Sequence, residues 1–103
     1  MTPAVDEEGF LLRFDDWNAQ IARAIAAGEG IELGPAHWEI VTLLREFYAQ
    51  YDQSPAMRPL VKYVGLKLGA DKGNSLYLLQ LFPGSPAKLA SKIAGLPRPE
   101  HCL

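Results

Sequence analysis

The chain has 103 residues, 49% of them apolar and 21% charged, and a formal net charge of −2. This length and composition suit one globular domain and exclude a largely disordered chain. No apolar run approaches the roughly 18 residues that span a bilayer, and no basic segment followed by an apolar one opens the chain, so we expect neither a membrane span nor a secretory leader. The single cysteine, Cys102, can form neither an intrachain disulfide nor a zinc cluster, which favours a reducing cytoplasm.

The charge is unevenly divided along the chain. Residues 1–52 carry three basic and ten acidic side chains, giving −7, whereas residues 53–103 carry seven basic and two acidic ones, giving +5. This asymmetry leaves two interpretations open. Either the second half faces an anionic partner, or the two halves attract each other within the fold.

The first predicted elements are a short strand and a helix. The apolar and aromatic segment 9–14 predicts the strand. Asp15 or Asp16 then predicts the N-cap of a helix, because an aspartate carboxylate accepts hydrogen bonds from the free N–H groups of a first turn. Trp17 follows on the apolar face of this helix, and Gly28 ends it.

Four further helices are predicted, separated by proline and glycine. Pro35 predicts the first position of a helix over 35–52, whose wide apolar arc should make it central to the core. The next helices are expected over 55–69, 73–82 and 86–94. The three central helices have the lengths of a helix-turn-helix core. We therefore expect a mostly α, α+β fold with a compact five-helix array.

The last nine residues cannot continue a helix. Pro97 and Pro99 stand at alternate positions, which favours an extended, polyproline-like segment. The seven steps from Gly95 to Cys102 span about 23 Å in an extended chain. We expect one domain over 1–103, with an N-terminal strand region (1–14), a helical core (15–94) and a mobile C-terminal arm (95–103).

Cys102 is the candidate nucleophile, because an arm of this length could carry a thiolate into the active site of another protein. Arg98 and His101 could stabilise a thiolate there, whereas the carboxylate of Leu103 opposes it. The alternative is an inert thiol, since most single cysteines behave as small hydrophobic residues.

Three other features have simpler structural interpretations. His37 is expected to be a core or capping histidine, and Trp17 and Trp38 are expected to be core anchors. A glycine-containing loop at 72–74 precedes a helix and could bind an anion, although no phosphate-binding motif accompanies it. Two histidines and one cysteine make a structural zinc site improbable.

A series of short motifs, in order along nearly the whole chain, resembles the TusE/DsrC family of sulfur-carrier proteins. The motifs are Glu8-Gly9-Phe10-Leu11, Gly30-Ile31 with Leu33, Pro35, His37-Trp38-Glu39, Arg45, Phe47-Tyr48, Ser54-Pro55, Arg58, Leu60-Val61-Lys62, Lys72-Gly73-Asn74-Ser75, Tyr77-Leu78, Leu81-Phe82-Pro83, Pro86-Ala87-Lys88, Lys92-Ile93-Ala94-Gly95-Leu96-Pro97-Arg98-Pro99 and Cys102.

The resemblance implies a helical fold with a small N-terminal β-hairpin, a mobile C-terminal arm and sulfur carried on Cys102 as a persulfide. Only five residues precede Asp6, which leaves open a reduced or absent hairpin. The two-cysteine DsrC branch has a second cysteine 11 residues before the terminal one, where this chain has Ser91. A serine cannot form the disulfide or trisulfide linkage of that branch, so the resemblance favours the one-cysteine, TusE-like branch.

For that branch the resemblance implies a sulfurtransferase in a relay. It would accept sulfur from a TusBCD-like donor complex and pass it to a tRNA 2-thiouridylase with its tRNA, without a metal or organic cofactor. The basic residues are candidates for docking, either against an acidic partner or against the tRNA. These candidates are Arg58, Lys62, Lys72, Lys88, Lys92 and Arg98.

Two alternatives remain open. One is a DsrC-like regulator or partner in sulfur oxidation or sulfite reduction. The other is a helix-turn-helix module that binds nucleic acid, against which the net charge of −2 and the apolar segment 76–81 both argue.

Overall fold

Five α-helices follow one another in the predicted order within the part of the chain that the structure describes. In this computed structural model, which describes residues 3–100, the helices are α1 (Ala19–Gly28), α2 (Pro35–Tyr51), α3 (Met57–Leu68), α4 (Ser75–Leu81) and α5 (Pro86–Ile93). The predicted mostly helical fold is confirmed. No helix in this described part is long and apolar enough to cross a membrane.

Helix α5 lies at the centre of the fold, although it has only eight residues. It packs against each of the other four helices. Its buried face is built largely from small side chains, Ala87, Ala90 and Ser91, with Ile93 filling the remaining space. Small side chains let neighbouring helices approach closely. Helix α2 supplies much of the core, as predicted, and packs against α5 more extensively than any other pair of helices does.

Helix α1 begins later than its sequence predicts. The N-cap is Asn18, whose side chain accepts a hydrogen bond from the N–H of Ile21 at 2.9 Å. The predicted caps, Asp15 and Asp16, belong instead to a separate 3-10 turn over Phe14–Asp16. The residue between turn and helix is Trp17, whose extended backbone sends its indole toward the end of α5, so a long-range contact overrides the local capping signal.

Helix α3 begins at Met57 rather than at Pro55. In a helix starting at Pro55, residue 59 would have to donate its N–H to the carbonyl of residue 55. Residue 59 is a proline and has no N–H to donate. The observed start places Pro59 in the first turn, where the missing donor has no intrahelical partner to lose.

The predicted N-terminal hairpin is not formed within the described residues. Residues 3–13 contain a single antiparallel bridge, between Val5 and Leu11, and no extended strand. The chain reverses because the Asp6 carboxylate accepts from the N–H groups of Glu8 and Phe10, both at 2.9 Å. Two backbone hydrogen bonds flank the bridge, from the N–H of Asp6 to the carbonyl of Phe10 at 2.8 Å and from the N–H of Leu12 to that of Ala4 at 3.1 Å. The reversal also buries Phe10 and Leu11, so this short pairing is supported by apolar packing.

Candidate functional site

The C-terminal arm leaves the helical core through a tight turn at the end of α5. The N–H of Gly95 donates to the carbonyl of Lys92 at 3.1 Å, and the N–H of Leu96 donates to that of Ser91 at 2.9 Å. Gly95 has a φ of +76°. This pairing with a left-handed glycine is the Schellman motif, which reverses the chain after a helix. The backbone therefore fixes the direction in which the arm starts.

Two side chains from other elements hold the last carbonyl groups of α5. The indole Nε1 of Trp17 donates to the carbonyl of Ile93 at 2.9 Å, and Nη1 of Arg45 donates to that of Ala94 at 2.8 Å. A Cβ atom on Gly95 would lie 2.5 Å from Cδ1 of Trp17, so the indole also packs directly on the turn. We call Trp17, Arg45 and Gly95 the arm clamp.

The Arg45 guanidinium lies between two aromatic rings. Its central carbon is 3.9 Å from the centre of the Phe14 ring and 4.1 Å from that of Trp17. Burial lowers the pKa of Arg45, and the negative charge of Asp15 partly offsets this effect. An arginine remains charged at neutral pH even so. The clamp thus holds a permanent cation beneath the arm, stabilised by ring faces and by a backbone carbonyl.

The arm clamp was not predicted from the sequence. The sequence predicts Trp17 as a core anchor and singles out Arg45 only through the family resemblance. One signal was available: Arg45 interrupts the apolar stripe of α2 next to Leu44, which is fully buried. A charged residue beside such a stripe needs a polar partner, but the sequence could not show that the partner is a carbonyl 49 residues away.

The first residues of the arm are docked on the core. Leu96 is fully buried, and Pro99 is also buried. The Ser54 hydroxyl donates to the carbonyl of Pro97 at 2.5 Å, and Arg98 Nη1 lies 2.7 Å from a Glu8 carboxylate oxygen. This corrects the expectation that the extended tether starts at Gly95.

Pro99 is the last buried residue among the described residues 3–100. Pro99 and Cys102 are separated by three steps, which span about 10 Å when extended. His101 and Cys102, two of the predicted site residues, lie outside the described residues. Arg98 lies inside them, and its charge is engaged by Glu8.

A cleft of about 320 Å³ lies beside the docked arm. Tyr48, Ser54 and Pro59 contribute to its walls on the side of α2 and α3, and Pro97 and Glu100 contribute from the arm. The described part of the chain therefore ends at this cleft, two residues before Cys102.

Most of the predicted docking cations are engaged within the fold. Lys72, Lys88, Lys92 and Arg98 each form an ion pair, and every partner is a carboxylate from the first half of the chain. This supports the interpretation that the two halves attract each other. The pairs are Lys72–Glu39 at 2.7 Å, Lys88–Glu8 at 3.6 Å, Lys92–Glu29 at 2.9 Å and Arg98–Glu8 at 2.7 Å.

Lys72 belongs to the loop that could have bound an anion. A hydrogen bond to Glu39 raises the pKa of Lys72, and burial opposes this effect. Asn74, from the same loop, accepts from the N–H of Tyr77 at 2.8 Å and so caps α4. Both polar side chains of the loop thus serve the fold, and the anion-binding hypothesis gains no support.

Arg58 and Lys62 are the exceptions among the predicted docking residues. Both are exposed on α3, one helical turn apart, and neither forms an ion pair or hydrogen bond through its side chain within residues 3–100.

Ser91 occupies a buried position in α5. It is fully buried, and its hydroxyl has no hydrogen-bond partner among the described groups. Its neighbours on the buried face are alanines and Ile93. A thiol would suit such a position better than a hydroxyl, because cysteine tolerates burial as a small hydrophobic residue.

His37 has the structural role expected of it. Its Nδ1 accepts from the N–H of Gly34 at 3.1 Å, so the proton of a neutral ring is on Nε2, which donates to the carbonyl of Leu81 at 3.0 Å. The ring also meets Phe82 edge-on. His37 therefore joins the start of α2 to the end of α4. The predicted capping histidine is confirmed.

Comparison with known proteins identifies the family. The sequence model of the family described as "DsrC like protein" matches residues 1–103. The TusE homolog of Haemophilus influenzae, named as a sulfurtransferase, is 57% identical over 98 residues, covering 95% of this chain and 90% of the relative. Sulfurtransferase TusE of Escherichia coli is 51% identical with the same coverage.

Solved structures agree with this result. The solution structure of DsrC from Allochromatium vinosum matches with a TM-score of 0.87 at 49% identity, covering 96% of this chain and 88% of that one. Oxidised DsrC from Archaeoglobus fulgidus, the gamma-subunit of dissimilatory sulfite reductase, matches with a TM-score of 0.83 at 38% identity, covering 98% and 92%. The chain belongs to the DsrC-like family and, within it, to the one-cysteine, TusE-like sulfurtransferases.

Proposed function

We propose that this protein is a sulfur relay carrier in the cytoplasm, that it holds sulfane sulfur as a persulfide on Cys102, and that it supplies the thiolation of wobble uridine in tRNA. Its donor is a TusBCD-like complex, and its acceptor is a tRNA 2-thiouridylase. The names of the TusE relatives, at 51–57% identity over nearly the whole chain, support the activity. No metal or organic cofactor enters the reaction.

The observation that carries this proposal is the docked base of the arm. The arm clamp and the buried residues Leu96 and Pro99 hold the chain to within three residues of Cys102. A carrier must present its sulfur to two different enzymes, so a reproducible starting point for a short tether lowers the entropy lost on each docking.

The transfer is an exchange between sulfur atoms without net oxidation. The Cys102 thiolate attacks the outer sulfur of the donor persulfide, a new S–S bond forms to Cys102, and the S–S bond of the donor breaks. The donor cysteine leaves as a thiolate. The acceptor then repeats the step, with its own thiolate attacking the outer sulfur of the Cys102 persulfide.

The two alternatives receive less support. The linkage that the resemblance implies for two-cysteine members needs a thiol at position 91, which is a serine here. Nucleic-acid binding needs free cations to neutralise phosphates. Four of the seven cations in the second half form ion pairs with carboxylates of this same chain.

Complementation tests the proposal. The chain is expressed in Escherichia coli lacking its own TusE, and 2-thiouridine is quantified in digested tRNA. We expect the wild-type chain to restore the modified base and Cys102→Ser to leave it absent. Restoration by Cys102→Ser, or no restoration by a well-expressed wild-type chain, would overturn the proposal.

A further inference from the structure

The exposed side of α3 combines exposed apolar surface with two cations that have no ion-pair partner in the described part of the chain. Arg58, Lys62 and Leu66 follow one another at intervals of four residues and therefore line one face of the helix. Leu66 has 76% of its surface exposed, more than any other large apolar side chain that is exposed within residues 3–100. We call Arg58, Lys62 and Leu66 the α3 ridge; it extends over about 12 Å.

One end of the α3 ridge is next in sequence to a residue of the cleft beside the arm, although Arg58 itself does not line that cleft. Pro59, next to Arg58, lines the same cleft as Pro97 and Glu100. A protein seated on the ridge would therefore lie near the cleft at which the described part of the chain ends. The other cations near the arm are not available in the same way, because Arg98 and Lys88 both pair with Glu8.

We propose that the α3 ridge is the docking surface for the sulfur-donating protein, and that this donor presents acidic side chains to Arg58 and Lys62 and an apolar recess to Leu66. The inference rests on the proposed function. Two cations that form no ion pair within residues 3–100, on a chain of net charge −2, select a partner by local charge complementarity. Leu66, which follows the two cations on the same helix face, is exposed and apolar. It therefore favours a protein surface as the partner over a phosphate backbone.

The donor fits this surface better than the acceptor does. An enzyme that holds tRNA needs a positive surface around its active site, and that surface would repel a cationic ridge placed next to the arm. A donor that binds no nucleic acid has no such requirement. Rim charges of this kind act mainly on the association rate and on its dependence on salt.

Single-turnover sulfur loading tests the ridge. A purified, sulfur-charged TusBCD-type complex is mixed with the full chain, and the loading rate is measured against donor concentration. The variants are Arg58→Glu with Lys62→Glu, and Leu66→Ala. The matched control is Arg13→Glu with Lys67→Glu, which changes the net charge equally at exposed positions off the ridge. A small-molecule persulfide serves as the second donor for every variant.

We expect the ridge double variant to need at least tenfold more donor complex for half-maximal loading, and Leu66→Ala to need several-fold more. The control double variant should match wild type, and the small persulfide should load all variants equally. Added salt should slow wild-type loading by the complex while barely affecting the ridge double variant.

The failures are distinguishable. Wild type that takes sulfur from the small persulfide but none from the complex would overturn the proposed function, and the ridge inference with it. Equal loading of wild type and the ridge double variant by the complex would overturn the ridge inference alone, as would equal impairment of the control. If the complex loads the ridge double variant normally but that variant binds tRNA more weakly than wild type does, the ridge is an RNA-binding surface. That result would also contradict the inference.

Discussion

Arg45 and Ala94 are joined by a hydrogen bond of 2.8 Å that links the middle of α2 to the last residue before the arm turns away from the core. The same guanidinium is stacked on Phe14 and Trp17. One charged side chain thus connects the N-terminal segment, the longest helix and the base of the arm. Its energetic importance should exceed that of an ordinary surface arginine.

We expect Arg45→Met to lower the free energy of unfolding by about 2–3 kcal/mol, because it removes a charged hydrogen bond and two cation–π contacts while keeping an apolar stem. The Leu96 amide, which donates to Ser91, should exchange its hydrogen faster. Urea unfolding and amide exchange measure the two effects. Arg23→Met is the control, since Arg23 is exposed and lies over the Trp38 ring at 5.4 Å. Equal effects of both substitutions would refute the special role of Arg45.

Substitutions at two glycines distinguish the cost of backbone strain from the cost of lost packing at the arm clamp. Gly95 and Gly30 have nearly identical φ values, +76° and +77°, but only Gly95 faces a close neighbour, Trp17. Gly30→Ala should cost about 1 kcal/mol of stability from the left-handed backbone alone. Gly95→Ala should cost about 2–4 kcal/mol, because its methyl group also displaces the indole. Thermal unfolding compares them, and equal losses would show that Trp17 does not pack on the turn.

Ser91 offers a stabilising substitution. Its buried hydroxyl has no partner within the described residues, so Ser91→Ala removes an uncompensated polar group. We expect the free energy of unfolding to rise by about 1 kcal/mol. Ser75→Ala, at an exposed position, should change it by less than about 0.5 kcal/mol. A loss of stability in Ser91→Ala would mean that the hydroxyl has a partner in solution.

Local signals in the sequence predicted the helices well, and long-range contacts account for what they missed. Proline and glycine marked the starts of α2 and α5 because their effects act within one turn. The prediction for α3 rests on Pro55 alone and takes no account of Pro59, whose missing N–H places the start of the helix at Met57. Helix α1 starts later than predicted because the Trp17 indole donates a hydrogen bond to the carbonyl of Ile93, 76 residues away. No local sequence pattern encodes such a contact.

The sequence also predicts some residues of the candidate site better than others. The sequence alone singles out Cys102 as a nucleophile by its chemistry and position, and that assignment stays a prediction. The docking residues could not be separated by sequence, because an exposed lysine and a paired one look alike in a list of charges. Only the fold shows that Lys72 and Lys92 have carboxylate partners whereas Arg58 and Lys62 have none among the described residues.

The central claim is that Cys102 carries sulfur, and intact-protein mass spectrometry tests it most directly. Wild type and Cys102→Ser are each incubated with a persulfide donor, desalted without reductant and weighed, and a second wild-type sample is treated with reductant first. We predict that wild type gains the mass of one sulfur atom, that reductant removes it, and that Cys102→Ser gains nothing. An unmodified wild-type protein, or equal loading of Cys102→Ser, would contradict the account.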